Sequence, residues 1–242
     1  MDNTATKAII MAAGVGNRLL PLTKTIPKPL IAVNGKIMIE SVIEALLENE
    51  ITEIYIVVGY LKEQFAYLAE KYNSKITFLF NPHYKTCNNV SSLYVAREFL
   101  GNCIIMDGDF IVQNAAIFSP QFDFSGYCST WTAQTGEWLQ TLDSDGFVTS
   151  CSRNGGENGW QLFSVSFWTN EDGAKLRYHL EEIFQRQKIT DIYWDDIPMF
   201  YCKNDFKLKI RPIKSTDLQE IDSLSELCEI DKSYSELLRR VK

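Results

Sequence analysis

KAIIMAAGVGNRLLPLTKTIPKPL, residues 7–30, is the stretch on which the reading of this chain turns. It opens as a continuous apolar run, KAIIMA, the pattern of a strand covered on both faces. A loop follows that carries Gly14 and Gly16, then Arg18, Lys24 and Lys28, the last set between Pro27 and Pro29. Glycine costs conformational entropy and is kept where a backbone turns tightly or lies close to a ligand. Two readings fit: a tight turn that carries surface charge, or a cradle whose N–H groups face a polyphosphate. The stretch contains neither GxxxxGK[ST] nor GxGxxG, so it is not a P-loop or a dinucleotide fingerprint. Arg18 can fork onto phosphate oxygens, and the flanking prolines stiffen the loop that holds the Lys28 ammonium. Lys24 reads equally well as a solvated surface lysine.

Outward from this loop, strand and helix patterns alternate. Ile39, Val42, Ile43, Leu46 and Leu47 follow helical spacing, EIYIVVGY (53–60) is a second buried strand, and Leu61, Phe65, Leu68 and Tyr72 form the next helical stripe. KITFLFN (75–81), SSLYVAREFL (91–100) and NCIIMDGD (102–109) continue as strand, helix and strand. The alternation predicts an α/β fold with a doubly wound, mostly parallel central sheet. In such sheets ligands sit beyond the carboxyl ends of the strands, where the glycine loop lies.

From about residue 123 the pattern becomes β-rich. FSGYCSTWTAQ (124–134), EWLQTLDSDGFVTSCS (137–152) and GWQLFSVSFW (159–168) read as strands, with a hairpin turn at Ser144–Gly146. A helix over 171–187, a strand over 206–213 and a terminal helix opened by a Ser223/Glu226 capping box complete the chain. The expected organisation is one domain over 1–242, with halves 1–112 and 113–242.

Composition narrows the function. The 242 residues are 45% apolar and 23% charged, ordinary for a globular protein, and no run reaches the ~20 apolar residues of a membrane span. The start, MDNTATK, lacks the apolar centre of a signal peptide. A net charge of −7 argues against nucleic acid as a partner. The six cysteines form no C-x-x-C and are expected as reduced, mostly buried thiols of a cytoplasmic protein. With only His83 and His179, both expected in structural or surface roles, histidine-based catalysis has little to build on.

Two acidic spots could serve a metal. Asp107 and Asp109, at i and i+2 on a strand, share a face and can hold Mg²⁺, although Asp-Gly-Asp is also a common turn. Asp195 and Asp196 in YWDDIP can equally mark a helix N-terminus. Aromatics stand beside acids in Glu137-Trp138 and in Tyr193-Trp194-Asp195, a composition suited to a quaternary ammonium, which is held by aromatic faces and nearby negative charge. By default Trp131, Trp160 and Trp168 read as packing residues.

The run Gly14, Gly16, Arg18, Leu19, Pro21, Leu22, Thr23 followed by Pro27-Lys28-Pro29 resembles the signature of the nucleotidyltransferases that make activated sugars and related compounds. Nearly the whole chain resembles the bacterial CTP:phosphocholine cytidylyltransferases, through VGYLKEQF (58–65), NN before SLY, EW at 137, SVSFW at 164, YWD at 193 and EIDS at 220. The resemblance implies an enzyme that transfers a cytidylyl group from CTP to phosphocholine. It implies nucleotide contacts at Ala12, Ala13, Gly14, Val15, Gly16 and Asn89, and catalytic cations at Arg18 and Lys28. It also implies Mg²⁺ on Asp109 and Asp195, with Asp107 supporting and Asp196 the alternative ligand, and a choline pocket of Trp138, Tyr193 and Glu220. Arg153 is a weaker candidate for the acceptor phosphate, with a surface charge on a hairpin as its other reading. The chain departs from the family at Phe110, where an Asn often follows the metal ligand, and at SRNGGENGW (152–160). Rival acceptors are 2-aminoethylphosphonate, phosphoethanolamine and a sugar-1-phosphate; the last is disfavoured because the E-K-P motif of sugar enzymes is missing. A non-enzymatic nucleotide sensor of the same fold would have lost the cations or the acids, and both are present.

Overall fold

The computed structural model describes residues 3–237. Four strands form its centre: β1 (Lys7–Ala12), β2 (Glu53–Val58), β3 (Ile76–Phe80) and β4 (Cys103–Asp107). All are parallel, in the order β4-β1-β2-β3. Side chains alternate across β1. Ala8, Ile10 and Ala12 join one cluster with Ile39, Val42, Ile43 and Leu46 of helix α1 (Met38–Glu48) and Leu68 of α2 (Ala66–Lys71). Ile9 and Met11 join the other, with Val90, Leu93 and Ala96 of α3 (Val90–Ala96). Both faces of the sheet are therefore covered, which is why these strands read as unbroken apolar runs. The four core residues of α1 are fully buried, each stabilising by roughly 1.5–3 kcal/mol, so packing rather than propensity holds this helix.

The second half extends the same sheet in antiparallel fashion. Its strands are β5 (Gly126–Thr135), β6 (Leu139–Leu142), β7 (Val148–Ser152), β8 (Gly156–Trp168) and β9 (Lys209–Pro212). The end of β8 pairs with β4, Val165 opposite Met106 and Trp168 opposite Cys103, while β5 lies along its other edge and β9 runs parallel to β5. The hairpin turn between β6 and β7 closes as expected: Gly146 takes φ 81 and donates its N–H to Asp143 O. Helix α4 (Asn170–Leu180) is capped by the Thr169 hydroxyl and runs into a π-helical turn over 181–186. The capping box of Ser223 and Glu226 opens α5 (Leu224–Ile230).

All six cysteines are free; Cys103, Cys128 and Cys228 are buried and the other three half-buried. Burial pushes the Cys103 and Cys128 thiols up to about 12, which leaves them inert. Trp168 is fully buried, as expected, but Trp131 is 56% exposed and stands opposite half-buried Trp160 across β5 and β8. Beyond Ser129 this strand has no buried residue, so Trp131 has no core to enter. Phe110, at the family's Asn position, is also fully buried. Among the described residues no helix is long and apolar enough to cross a membrane.

Candidate active site

The strand order reverses at β1, whose neighbours are β2 on one side and β4 on the other. The crevice at this reversal receives the glycine loop directly from β1. Gly16 takes φ 70, and a Cβ there would press Lys28 Cβ and Thr23 Cγ2 at 3.0 Å, so glycine is required. The Thr23 hydroxyl donates to Gly16 O at 2.9 Å and fixes the turn. A Cβ on Gly14 would meet nothing within 4 Å, which leaves open space over the loop. Among the described residues the N–H groups of Gly14, Val15 and Gly16 donate to no protein acceptor. This is the geometry of an anion cradle.

A cavity of about 290 Å³ adjoins the loop, and its walls include Arg18, Lys28, Asn89, Asp107, Asp109, Glu137, Trp138, Tyr193, Asp195, Glu220 and Asp222. Most of the side-chain candidates from the sequence are thus gathered here. Lys28, buried on a short 3₁₀ turn behind Pro27, places its ammonium 2.5 Å from Asp109 Oδ2 and 2.8 Å from Asp222 Oδ1. Burial alone would lower its pKa, but these carboxylates hold it above the ordinary lysine value. Arg18, mostly exposed, reaches the same Asp222 oxygen at 2.8 Å. Lys24 is solvent-exposed.

Asp222 was not singled out from the sequence, although its spacing two residues beyond Glu220 in EIDS was a usable signal. Leu218–Glu220 pairs antiparallel with Phe110–Val112, and Glu220 lies opposite Phe110. That register carries both acids to Asp109. Asp109, Glu220 and Asp222 each offer an oxygen within 4.8 Å of the others, and Asp109 Oδ1 is buried without a hydrogen-bond partner. Such hard oxygen donors fit Mg²⁺. The sequence assigned Glu220 to the choline pocket; the structure sets it in this acidic cluster, in the same cavity as Trp138 and Tyr193. Glu220 is exposed to the cavity yet closely ringed by protein. Desolvation, then the charges of Asp109, Asp222 and Asp107, raises its pKa well above the carboxylate range. Desolvation followed by Asp109 does the same to Asp107.

The pair Asp195 and Asp196 divides its work. Asp195 lines the cavity, with its Oδ1 unpartnered, and burial pushes its pKa up to about 7 despite the nearby Tyr127 phenol. Tyr127 Oη likewise makes no hydrogen bond of good geometry. Asp196 is only 3% exposed and is bound by Arg153, whose Nε lies 2.8 Å from Oδ1. The structure thus turns Arg153 to Asp196 rather than to the cavity, and engages Asp196 where the alternative metal ligand was expected. Asn89 accepts from Trp194 N at 2.9 Å and anchors the segment that bears Asp195. Trp138 and Tyr193 form a right-angled corner, centroids 6.0 Å apart. The histidines stay outside: His83 packs on Phe184, and His179 contacts Cys202 and Asp205.

A free-amide loop at a topological switch point, with cations and hard oxygen donors facing it, defines an α/β protein that handles nucleotide phosphates. Residues 7–123 match the family model described as nucleotidyl transferase. A 2-aminoethylphosphonate cytidylyltransferase of Lancefieldella rimae is 37% identical over 97% of this chain and 95% of its own. A choline-phosphate cytidylyltransferase of Streptococcus pneumoniae is 35% identical, covering 93% and 97%. The solved CTP:phosphocholine cytidylyltransferase of S. pneumoniae superposes with a TM-score of 0.84 at 34% identity, over 98% of this chain and 99% of that one. The chain belongs to the nucleotidyltransferase family, in its cytidylyltransferase branch.

Proposed function

We propose that the enzyme transfers the cytidylyl group of CTP to phosphocholine. A phosphate oxygen of the acceptor attacks the α-phosphorus, the bond from that phosphorus to the bridging oxygen breaks, and pyrophosphate leaves with CDP-choline as product. The observation that carries this reading is the Trp138–Tyr193 corner, which shares one cavity with the cations Arg18 and Lys28 and with the carboxylates. Perpendicular aromatic faces beside negative charge suit a trimethylammonium group, each face contributing roughly 0.5–2 kcal/mol. The second pKa of a phosphate ester is ~6, so the acceptor is already a nucleophile at neutral pH and needs no protein base. The protein's task is to position two anions and offset their repulsion. The loop N–H groups and Arg18 receive the triphosphate, and Lys28, paired with Asp109 and Asp222, adds a second fixed cation. Asp109 with Glu220 and Asp222 would hold Mg²⁺, with Asp195 lining the same cavity; the ion would supply positive charge to the phosphate oxygens.

A second reading, 2-aminoethylphosphonate as acceptor, is favoured by one feature. Asp195 Oδ1 is buried and makes no well-aligned hydrogen bond, the nearby Tyr127 phenol included, and a primary ammonium can give it an N–H bond where a quaternary one cannot. The deciding experiment measures pyrophosphate release for four nucleotides against phosphocholine, phosphoethanolamine, 2-aminoethylphosphonate and glucose-1-phosphate. The highest kcat/KM is expected for CTP with phosphocholine. A tenfold or greater preference for 2-aminoethylphosphonate replaces the first reading with the second, and release with none of the pairs overturns both.

A further inference from the structure

At the other end of the sheet lies a pocket of about 310 Å³ that the transfer reaction does not use. Strand register separates the two sites. On β8, Leu162 and Ser164 line the active-site cavity, whereas Phe167, opposite Ile104 near the start of β4, lines this pocket. Its walls are Phe122, Phe124 and Phe167, and its cations are Lys209 and Arg211 of β9. The volume falls in the range of small-ligand sites.

Arg211 is the unusual residue. Its Nη1 is buried without a hydrogen-bond partner, and among the described residues the guanidinium makes no ion pair. It is instead stacked on Phe167, 4.3 Å from the ring centroid. Asp123 also lines the pocket but pairs with neither Arg211 nor Lys209. Arg211 as a whole is half-buried, but a guanidinium nitrogen buried and left unpaired is costly, because its hydration is lost and nothing replaces it. Desolvation lowers the pKa of Arg211, as expected for a charge without a partner. Lys209 spreads its ammonium over Phe124 and Phe147, at 4.8 and 4.5 Å from the centroids. The backbone is built to keep β9 here. A Cβ on Gly126 would lie 1.6 Å from Lys209 O, so only glycine lets β9 close on β5 and present both cations.

We infer that this pocket is a second binding site, separate from the active site, for a small anion carried on a flat apolar body, such as an aromatic carboxylate or phosphate. The anion would take the free Arg211 donors in the fork geometry that guanidinium favours, and the body would lie against the phenylalanines. The inference is independent of which acceptor the enzyme uses.

The test follows backbone amide resonances of the full chain during titration with phenyl phosphate, benzoate and, as a cationic control, cyclohexylammonium. The two anions are expected to shift Gly126 and Lys209 saturably, and the cation is not. Binding of phenyl phosphate at the active site reads out separately at Asn89 and Tyr193. Arg211→Gln is expected to weaken the response at Gly126 about tenfold or more, as for loss of a charge-assisted hydrogen bond, and Arg211→Lys to recover part of it. A melting curve establishes that each variant is folded; if Arg211→Gln is not, Arg211→Lys alone must still bind more weakly than the parent. No saturable shift with either anion, or equal binding by every folded variant, overturns the inference.

Discussion

Arg153 closes on Asp196 with two nitrogens, Nε at 2.8 Å and Nη2 at 2.5 Å, both on Oδ1. The other oxygen, Oδ2, accepts from Tyr193 N at 2.9 Å. The same guanidinium stacks on Phe200 at 3.8 Å and lies over Trp138 at 5.8 Å. One side chain outside the cavity thus ties down both aromatic walls. Arg153→Ala should raise the acceptor KM about tenfold and leave the CTP KM within a factor of about two. Because Arg153 is half exposed and water can replace part of its contact, the stability loss should be about 1–3 kcal/mol. Arg153→Lys should recover stability in part. Steady-state kinetics and thermal melts check this; an equal rise in both KM values removes the positioning role.

Trp138→Ala deletes one wall of the corner. The acceptor KM should rise by roughly tenfold, on the order of one lost cation–π face, with CTP binding by calorimetry nearly unchanged. A comparable loss of CTP affinity would move Trp138 to the nucleotide side.

Asp195, whose pKa is pushed up to about 7 by burial, is neutral in much of the free enzyme below that pH. Attraction of a cationic head or of a metal needs the ionised form, so kcat/KM for the acceptor should climb as pH rises and level off above ~7. Asp195→Asn should lose this step and most of the activity. The stability sign is opposite. A carboxyl whose folded pKa exceeds its unfolded value binds more protons in the native state, so it destabilises increasingly as pH rises from about 4 to about 7. Asp195→Asn should therefore melt a few degrees above the parent at pH 8, with a smaller difference at pH 5.

Lys28 is the counter-charge of the acidic cluster. Lys28→Gln should cut kcat by about 10²-fold or more, as for loss of a preorganised charge. It also leaves Asp109 and Asp222 without their cation, and the destabilisation should grow with pH as the neighbouring Glu220 and Asp107, whose pKa values desolvation and the adjacent acids hold well above the carboxylate range, ionise. Melts at pH 5 and pH 8 measure this; an equal loss at both would mean that packing, not charge, is the role of Lys28. Asp109→Asn should leave the fold intact and lose most turnover, and near-normal rates would take it out of the reaction centre.

Much of this was legible along the chain because its physics is local. An unbroken apolar run such as residues 7–12 reports a strand covered on both faces, and Gly16 reports a left-handed turn with no room for a Cβ. Ser223 and Glu226 satisfy each other's backbone within one turn, so their capping box needs no tertiary partner. What the chain could not disclose lies in pairs far apart along it. Lys28 meets Asp222 across 194 positions, and Arg153 meets Asp196 across 43. The resemblance put Asp195 first and kept Asp196 as the alternative; only the fold sends one to the cavity and the other to a guanidinium. The register of Leu218–Glu220 against Phe110–Val112 likewise decided that Glu220 and Asp222 stand beside Asp109. Periodicity and turn chemistry determine which elements form, since backbone sterics and local hydrogen bonds act over a few residues. Which distant charges end up within bonding distance is settled by how those elements pack, because only burial of a shared core brings remote segments together and holds them there.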